Sequence, residues 1–443
     1  MTKHKEVKPE RVSEKTNPSG DIQDRWSWVE PSVWTDRMLT TLEIGVKGGR
    51  WFSLIDKVYS PENLRASFKK VYANKGSAGV DHQTVGMYKK NLENNISKVS
   101  LSLKEGSYKP QKIKRIWIPK PGTKRKRPLG IPTVQDRVVQ TALRNVLEPI
   151  FEKDFAENSY GFRPGRSCKD ALREVSKLLK SGYMYVLDAD ISNYFDTINH
   201  ENLMKLIQNR VTDSRILKLV AIFLKQGITE GLHEWTPDKG SPQGAVLSPL
   251  LSNIYLDPLD HLMNKAGYKM IRYADDFIVL CKDRQEAEKS LKLIQEWLME
   301  SELALNEEKT SIVDARVESF EFLGYKFKKG RRWPSDKSLK KFKDKVRAKT
   351  KRNNGHSLHE IVSELNPVLR GWFEYYKHCG EYTFVSLDRW IRMRLRSILR
   401  RRSGRKGRGR GRDHNRWPNA FFVGHGLFSL ELAYGLARQS SLR

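Results

Sequence analysis

Two acids stand side by side in the stretch IRYADDFIVL: Asp275 and Asp276, with Tyr273 and Ala274 before them and Phe277, Ile278, Val279 and Leu280 after. Burying an unpaired carboxylate is costly, and a second one beside it raises the cost of ionising the first. A third acid, Asp190, closes the run YVLDAD, again at the end of an apolar segment. Acids at the ends of neighbouring strands become reasonable when they share divalent metal. Carboxylate oxygens suit Mg2+, which keeps several waters and is typically shared with substrate phosphates. Two such ions ~3.5–4 Å apart can activate an attacking oxygen and stabilise a leaving one in phosphoryl transfer. Their charge reverses the local pKa logic and removes the burial problem. An Asp-Asp pair taken alone is more often a solvated turn; the aromatic and apolar flanks, with an upstream acid at a strand end, favour the metal.

The pattern also shows which elements must bring these acids together. YMYVLDADI (183–191) is a short apolar run expected to form a buried strand, and RYADDFIVLCK a hairpin. Helical spacing over 133–150 aligns Val138, Val139, Ala142, Leu143, Val146, Leu147 and Ile150, and 167–179 repeats the pattern. Residues 284–300 form an amphipathic helix with Ala287, Leu291, Ile294 and Trp297 on one face, and Ser60-Pro61 caps another helix that stops near Gly76. KRIWIPKPGTKRKRPLGIP (114–132) reads as a basic β-hairpin, and FEFLGYKF (320–327) as a further strand pair. From 328 onward Lys and Arg dominate, helices are expected over 338–352 and 357–378, and the glycines of RRRSGRKGRGRGR (400–412) predict a flexible loop. The domain plan is a mobile basic extension over 1–34, one domain over 35–327 and a helical one over 328–443.

The chain carries 82 Lys and Arg against 52 Asp and Glu, a formal charge of +30. That excess repels itself in a compact fold and suits a polyanionic partner. Cys168, Cys281 and Cys379 lie far apart, forming neither a zinc-type pair nor a disulfide framework, which fits a reducing compartment, so a cytoplasmic location is expected. No run of ~18 apolar residues occurs and the start, MTKHKEVKPE, is polar, so no membrane span or signal peptide is expected.

Several blocks, in order, carry a family resemblance. YADD resembles the catalytic turn of reverse transcriptases, DADISNYFDTI (188–198) their first acidic motif, and GSPQGAVLSPLLSNIYL (240–256) the nucleotide-binding motif between them. SYGFRPGRS (159–167), RPLGIPTVQDR (127–137) and FEFLGY (320–325) resemble blocks of group II intron-encoded reverse transcriptases/maturases. LNPVLRGWFEYYKHC (365–379) resembles their maturase thumb, and RWPNAFFVGHGLFSL the C-terminus of members lacking a DNA endonuclease. The likeness runs over about residues 35 to 443. It implies an α+β right-hand polymerase with fingers, a palm built on an antiparallel sheet, and a helical thumb. It also implies an RNA-directed DNA polymerase that extends a DNA or RNA primer on an RNA template from dNTPs with two Mg2+. The same protein would act as a maturase on its intron RNA, in splicing and in mobility into target DNA. With no nuclease motif, second-strand cleavage is not expected, and a nick or replication fork would serve as primer. The oligomeric state, monomer or homodimer, stays open.

By resemblance, Asp190, Asp275 and Asp276 are the catalytic metal ligands, with the Ile191 carbonyl a further one. The backbone amides of Ser192, Asn193 and Tyr194 would cradle the triphosphate. Phe195 corresponds to the aromatic gate that excludes a 2′-hydroxyl; an ordinary core aromatic is the alternative. Lys120 and Arg127 match the clamp on the β- and γ-phosphates, with Lys126 an alternative to Arg127 because the spacing is one residue long. Gln243 and Gly244 would pack beneath the nascent base pair, glycine allowing the backbone close to the duplex. Arg163 would support either the template strand or the fingers fold. Arg370, Trp372 and Tyr375 are expected in the thumb core. Thirteen of residues 389–416 are Lys or Arg, an excess that favours RNA backbone contacts by Arg400, Arg401, Arg402, Arg405, Lys406 and Arg408. The rival readings are an RNA-binding maturase without polymerase activity, a free-standing relative used in DNA repair or phage defence, and an RNA polymerase with a similar palm.

Overall fold

The computed structural model describes residues 22–119, 126–353 and 355–441. Its strands, in chain order, are β1 (Ile113–Pro119), β2 (Lys126–Ile131), β3 (Tyr185–Asp190), β4 (Ile228–Glu230), β5 (His233–Trp235), β6 (Lys269–Tyr273), β7 (Asp276–Cys281), β8 (Ser311–Asp314), β9 (Phe320–Phe322), β10 (Tyr325–Lys328) and β11 (Arg331–Pro334). They form three sheets, ordered β2-β1-β4-β5, β6-β7-β3-β8 and β11-β10-β9. The second, antiparallel throughout, is the palm sheet that carries the acids.

Alternation along each strand sends successive side chains to opposite faces, and the two faces of the palm sheet meet different cores. Leu187, Ala189, Phe277, Val279 and Cys281 join the larger core, with Val138 and Leu143 of helix Val134–Glu152, Leu251 and Leu259 of helix Ser248–Lys265, and Ile294 of helix Arg284–Glu300. The opposite face divides along its length. Val186, Ile271, Ile278 and Leu280 pack against helix Cys168–Lys180 and into the C-terminal core of Phe342, Leu365, Phe373 and Leu395. Toward the end of β3 the same face presents Asp188 and Asp190, with Asp276 beside them on β7. Removing one of the fully buried leucines, such as Leu143, would cost about 2–5 kcal/mol.

Local signals set the helices. Ser167 and Asp170 form a reciprocal capping box at the start of helix Cys168–Lys180, and Ser357 with Glu360 does the same for helix Leu358–Tyr376. Thr133 accepts from the Asp136 amide to open helix Val134–Glu152.

Three expectations need correction. The extension drawn over 1–34 includes Trp26, Val33 and Trp34, which are only 2–3% exposed; the Trp34 indole donates to the Asn145 carbonyl at 2.9 Å. A cut between 327 and 328 falls inside β10, whose sheet packs with the thumb, because Phe320, Tyr325 and Phe327 share the C-terminal core. The glycine-rich tract is not a free loop from residue 400: helix Glu381–Arg402 runs through its first three arginines. Gly409 then lies so close to that helix that a Cβ would sit 2.5 Å from Arg396 Cβ, and its amide donates to Ser397 Oγ at 3.1 Å. Among the described residues, no helix is long and apolar enough to cross a membrane.

Candidate active site and nucleic-acid interface

Tyr273 pairs with Asp276 across β6 and β7, so Ala274 and Asp275 alone make the turn. Ala274 sits in the left-handed region at φ 62°, an uncommon setting for a residue with a Cβ. On the other side of β7, Asp276 stands directly opposite Asp190 of β3, a pairing that sets Cα atoms ~4.5–5.5 Å apart. The acids from the two motifs therefore meet at one end of the palm sheet.

Their electrostatics call for a cation. Burial, then repulsion from Asp188, Asp275 and Asp190, pushes Asp276 up to about 7. Asp275 is raised by burial and by Asp190, with Arg272 and Lys309 opposing the shift. Asp188, two residues before Asp190 on the same face, is pushed up to about 6 by burial and by Asp190 and Glu321. The ammonium of Lys309 rests on Asp190 Oδ2 at 2.5 Å, where a divalent cation would be expected to sit. The all-oxygen donor set suits Mg2+. Among the described residues no three His, Cys, Asp or Glu side chains converge as a metal-ligand cluster. Asp188 and Lys309 are additions to the site read from sequence. Asp188 was legible as a second acid at period two on the same strand, whereas Lys309 carried no signal.

Beneath the turn lies a buried support. Arg272 is fully buried and pairs with the fully buried Asp260, Nε donating to the two carboxylate oxygens at 2.9 and 3.0 Å. Its other donors reach Asn253 Oδ1 at 3.0 Å and the carbonyl of Ala274 at 2.9 Å, so it holds the turn itself. The strand Arg272 occupies is flanked by the SYGF block: the Arg272 amide donates to the Asn158 carbonyl, and the Tyr160 amide to the Arg272 carbonyl, both at 2.9 Å. Asn253 Nδ2 donates to the Gly161 carbonyl at 2.9 Å. Gly161 lies under the turn so closely that a Cβ would be 2.2 Å from the Ala274 nitrogen. Three blocks distant in sequence thus form one unit. Arg272, Asp260, Asn253 and Gly161 were not among the predicted site residues; a lone arginine in an apolar strand and a lone acid in an apolar helix were the available signal, since buried charges need partners.

The nucleotide-side residues are partly rearranged. The Ser192 amide donates to the Ala304 carbonyl at 2.8 Å, and Asn306 N to the Asp190 carbonyl at 2.7 Å. Ser192 is therefore already paired and does not join the expected amide cradle. Asn193 turns the chain in the left-handed region (φ 46°) into the short helix Tyr194–Thr197; Tyr194 is buried, its hydroxyl donating to Ser252 O at 2.8 Å, and the Ile191 side chain is buried beside it. Phe195 stays half-buried, edge-on to Tyr194 at 5.4 Å, and borders a cavity of about 470 Å3 with Arg115 and Trp235. Its carbonyl accepts from Ser241 N at 2.7 Å, so the middle motif holds the backbone of the proposed gate. Gly130 N donates to the Gln243 carbonyl at 2.6 Å, and a Cβ on Gly244 (φ 106°) would be 2.6 Å from Gly130 O. Glycine at 244 is thus required by a close approach to β2. Arg127 and Lys126 are both exposed on β2, and Lys120 lies outside the described residues.

Arg163 takes the second of its two expected roles. Its side chain is 3% exposed, pairs with Glu152 at 2.7 Å and donates to the carbonyls of Ala156 (2.5 Å) and Ser159 (2.9 Å); it braces the fold. Of the C-terminal arginines, Arg400 is tied to Asp413 at 2.6 Å and to the Lys406 carbonyl at 2.9 Å, and Arg402 donates to the His356 carbonyl. Upstream, Arg394 holds Thr350 and Arg396 holds the Trp417 carbonyl. Arg401, Arg405, Lys406 and Arg408 remain on the exposed surface. Trp372 stacks on Phe342 at 4.5 Å and the Tyr375 hydroxyl donates to Leu323 O at 2.8 Å, inside the thumb as expected, whereas Arg370 is exposed over the Phe428 ring.

Comparison with known proteins agrees with this architecture. Residues 118–327 match the family model described as reverse transcriptase (RNA-dependent DNA polymerase), and 339–417 the group II intron, maturase-specific domain. The group II intron-encoded protein LtrA of Lactococcus lactis subsp. cremoris is 35% identical over 255 residues, covering 57% of this chain and 41% of that protein. Protein YkfC of Escherichia coli K12 is 32% identical over 315 residues, covering 62% of this chain and 82% of that protein. Among solved structures, a chain of a partial Cas6-RT-Cas1–Cas2 complex is 25% identical over 56% of this chain and 42% of that one, with a TM-score of 0.36, too low an overlap to bear on function. This chain spans less than half the length of the lactococcal relative. With a palm sheet that pairs the acids of both motifs, and a maturase-specific domain fused behind it, the chain belongs to the family of group II intron-encoded reverse transcriptases/maturases.

Proposed function

We propose that the protein is an RNA-directed DNA polymerase that extends a DNA or RNA 3′-OH on an RNA template, and that it also serves as maturase for an intron RNA in splicing and in mobility into target DNA. The observation that carries the reading is the register of Asp190 against Asp276, with Asp275 in the adjoining turn. Asp190, Asp275 and Asp276, with the Ile191 carbonyl, would hold two Mg2+, which when bound lower the barrier to attack by the 3′-oxygen and to departure of pyrophosphate. Asp188 adds negative charge behind them, and Lys309, which rests on Asp190, would compete with a cation for that carboxylate. Arg272 keeps Asp275 in place through the Ala274 carbonyl. On the nucleotide side, Phe195 closes the sugar pocket against a 2′-hydroxyl, and the exposed cations of β2 meet the phosphates. Exposed Arg401, Arg405, Lys406 and Arg408 add salt-dependent contacts to the RNA backbone.

Primer extension on an RNA template tests the reading. Wild type should incorporate dNTPs with Mg2+ and discriminate strongly against rNTPs; Asp275→Ala and Asp276→Ala should abolish synthesis while RNA affinity stays within a few-fold. Phe195→Val should relax sugar discrimination. RNA binding without any dNTP incorporation by the wild type would leave a maturase that no longer polymerises.

A further inference from the structure

A second concave site lies away from the acids. Helix Cys168–Lys180, β11, the end of helix Leu358–Tyr376 and helix Leu430–Ser441 surround an open cavity of about 540 Å3. Its walls bring together Lys169, Arg173, Arg332, Lys377, His378 and Arg438. Two of these are neutralised from outside: Arg173 by Asp170 at 2.5 Å and Lys377 by Glu374 at 2.9 Å. Among the described residues Arg332 donates to neutral groups, Ser176 Oγ at 3.1 Å and the carbonyls of His378 at 3.3 Å and Leu172 at 3.5 Å. Lys169 and Arg438 have no carboxylate within 4 Å among the described residues; Arg438 lies over the Tyr434 ring. Burial and the four cations Arg332, Lys377, Arg173 and Lys169 hold His378 below its ordinary value.

Like charges from four separate elements do not converge in a hollow without cost. A solvated basic face mixes signs. This arrangement places guanidinium and ammonium groups around one volume, a chemistry that matches phosphate oxygens. Its position indicates the source of the phosphate. Helix Cys168–Lys180, which carries Lys169 and Arg173, shares a core with Ile271 of β6, the strand that leads into the catalytic turn, so the cavity borders the palm sheet on one side and the thumb on the other.

We propose that this cavity seats a backbone phosphate of bound RNA at the palm–thumb junction. The choice of RNA rests on the polymerase reading; the anion site itself does not. The test is the salt dependence of binding of a fluorescein-labelled single-stranded RNA to the full chain, wild type against the double variant Lys169→Gln/Arg438→Gln. Loss of one phosphate contact should make the slope of log K against log salt shallower by ~0.7 and weaken binding about tenfold at low salt. An unchanged slope in a variant with an unchanged thermal melt overturns the proposal; if the double variant melts early, each single variant should carry about half the effect, and none in either refutes it equally. A second readout follows His378 by NMR of histidine-labelled protein, assigned with His378→Gln. RNA should raise its titration midpoint. If inorganic phosphate does so and RNA does not, the cavity takes a free anion and the RNA assignment fails. Primer extension by the wild type is scored separately, so the slope can change while polymerisation fails, or the reverse.

Discussion

Replacing Gly161 by alanine tests whether the SYGF block is the floor on which the catalytic turn rests. An added Cβ would lie 2.2 Å from the Ala274 nitrogen, 2.8 Å from the Tyr273 carbonyl carbon and 3.1 Å from Ala274 Cα. Non-bonded heavy atoms settle at ~3.5–4 Å, so the two segments must separate by about 1 Å. Every neighbour is main chain, and no rotamer relieves the contact. The block is tied down by Asn253 and by the Tyr160 amide, and the turn by Arg272, so the displacement falls on Asp275 and Asp276. A misplacement of about 1 Å costs ~100-fold in rate, and overpacking of this kind costs ~1–3 kcal/mol of stability. The assay is steady-state primer extension at saturating dNTP, beside a thermal melt and an RNA-binding titration. Gly161→Ala should lose about two orders of magnitude in kcat, melt a few degrees early and bind RNA normally. Gly86→Ala, whose Cβ would meet only Thr84 Oγ1 at 3.9 Å, is the control and should extend primers as wild type does. A folded Gly161→Ala enzyme with kcat within about threefold of wild type would refute the reasoning.

Arg272→Met leaves Asp260 buried without its partner and should cost ~3–5 kcal/mol in urea denaturation; a loss below about 1 kcal/mol would mean that Asp260 finds another partner or water. In metal-free protein Asp276 is raised from its ordinary range to about 7, so between those values the folded state binds more protons than the unfolded one and stability falls as pH rises. Melts in EDTA should therefore drop from pH 5.5 to 8, with Mg2+ restoring more at pH 8 than at 5.5; Asp276→Asn should blunt both effects, and a Mg2+ effect independent of pH would contradict the shared site. Lys309→Ala removes the cation competing at Asp190 and should lower the Mg2+ concentration for half-maximal extension a few-fold; a collapse of kcat with an unchanged Mg2+ requirement would show that Lys309 acts in the reaction instead.

The chemistry was legible because it sits in short contiguous motifs. Strand-end acids in apolar runs, helical spacing over 133–150 and a capped start at Ser60 are local facts, and each followed from the residues alone. The pairing of Asp190 with Asp276 was also within reach, since acids of that kind must meet a shared cation. Partnership between surplus charges was not. Arg400 looks in sequence like a free cation for RNA, yet Asp413 claims it; Ser192 looks like an anion-binding amide, yet the Ala304 carbonyl takes it. Composition and spacing determined that this chain carries an acid cluster and a basic surface. Which cations remain free for RNA, and that Gly161 and Gly244 serve contacts within the protein, was decided only when distant segments packed together, because a hydrogen bond or a steric contact depends on distances of a few ångströms that residue order does not contain.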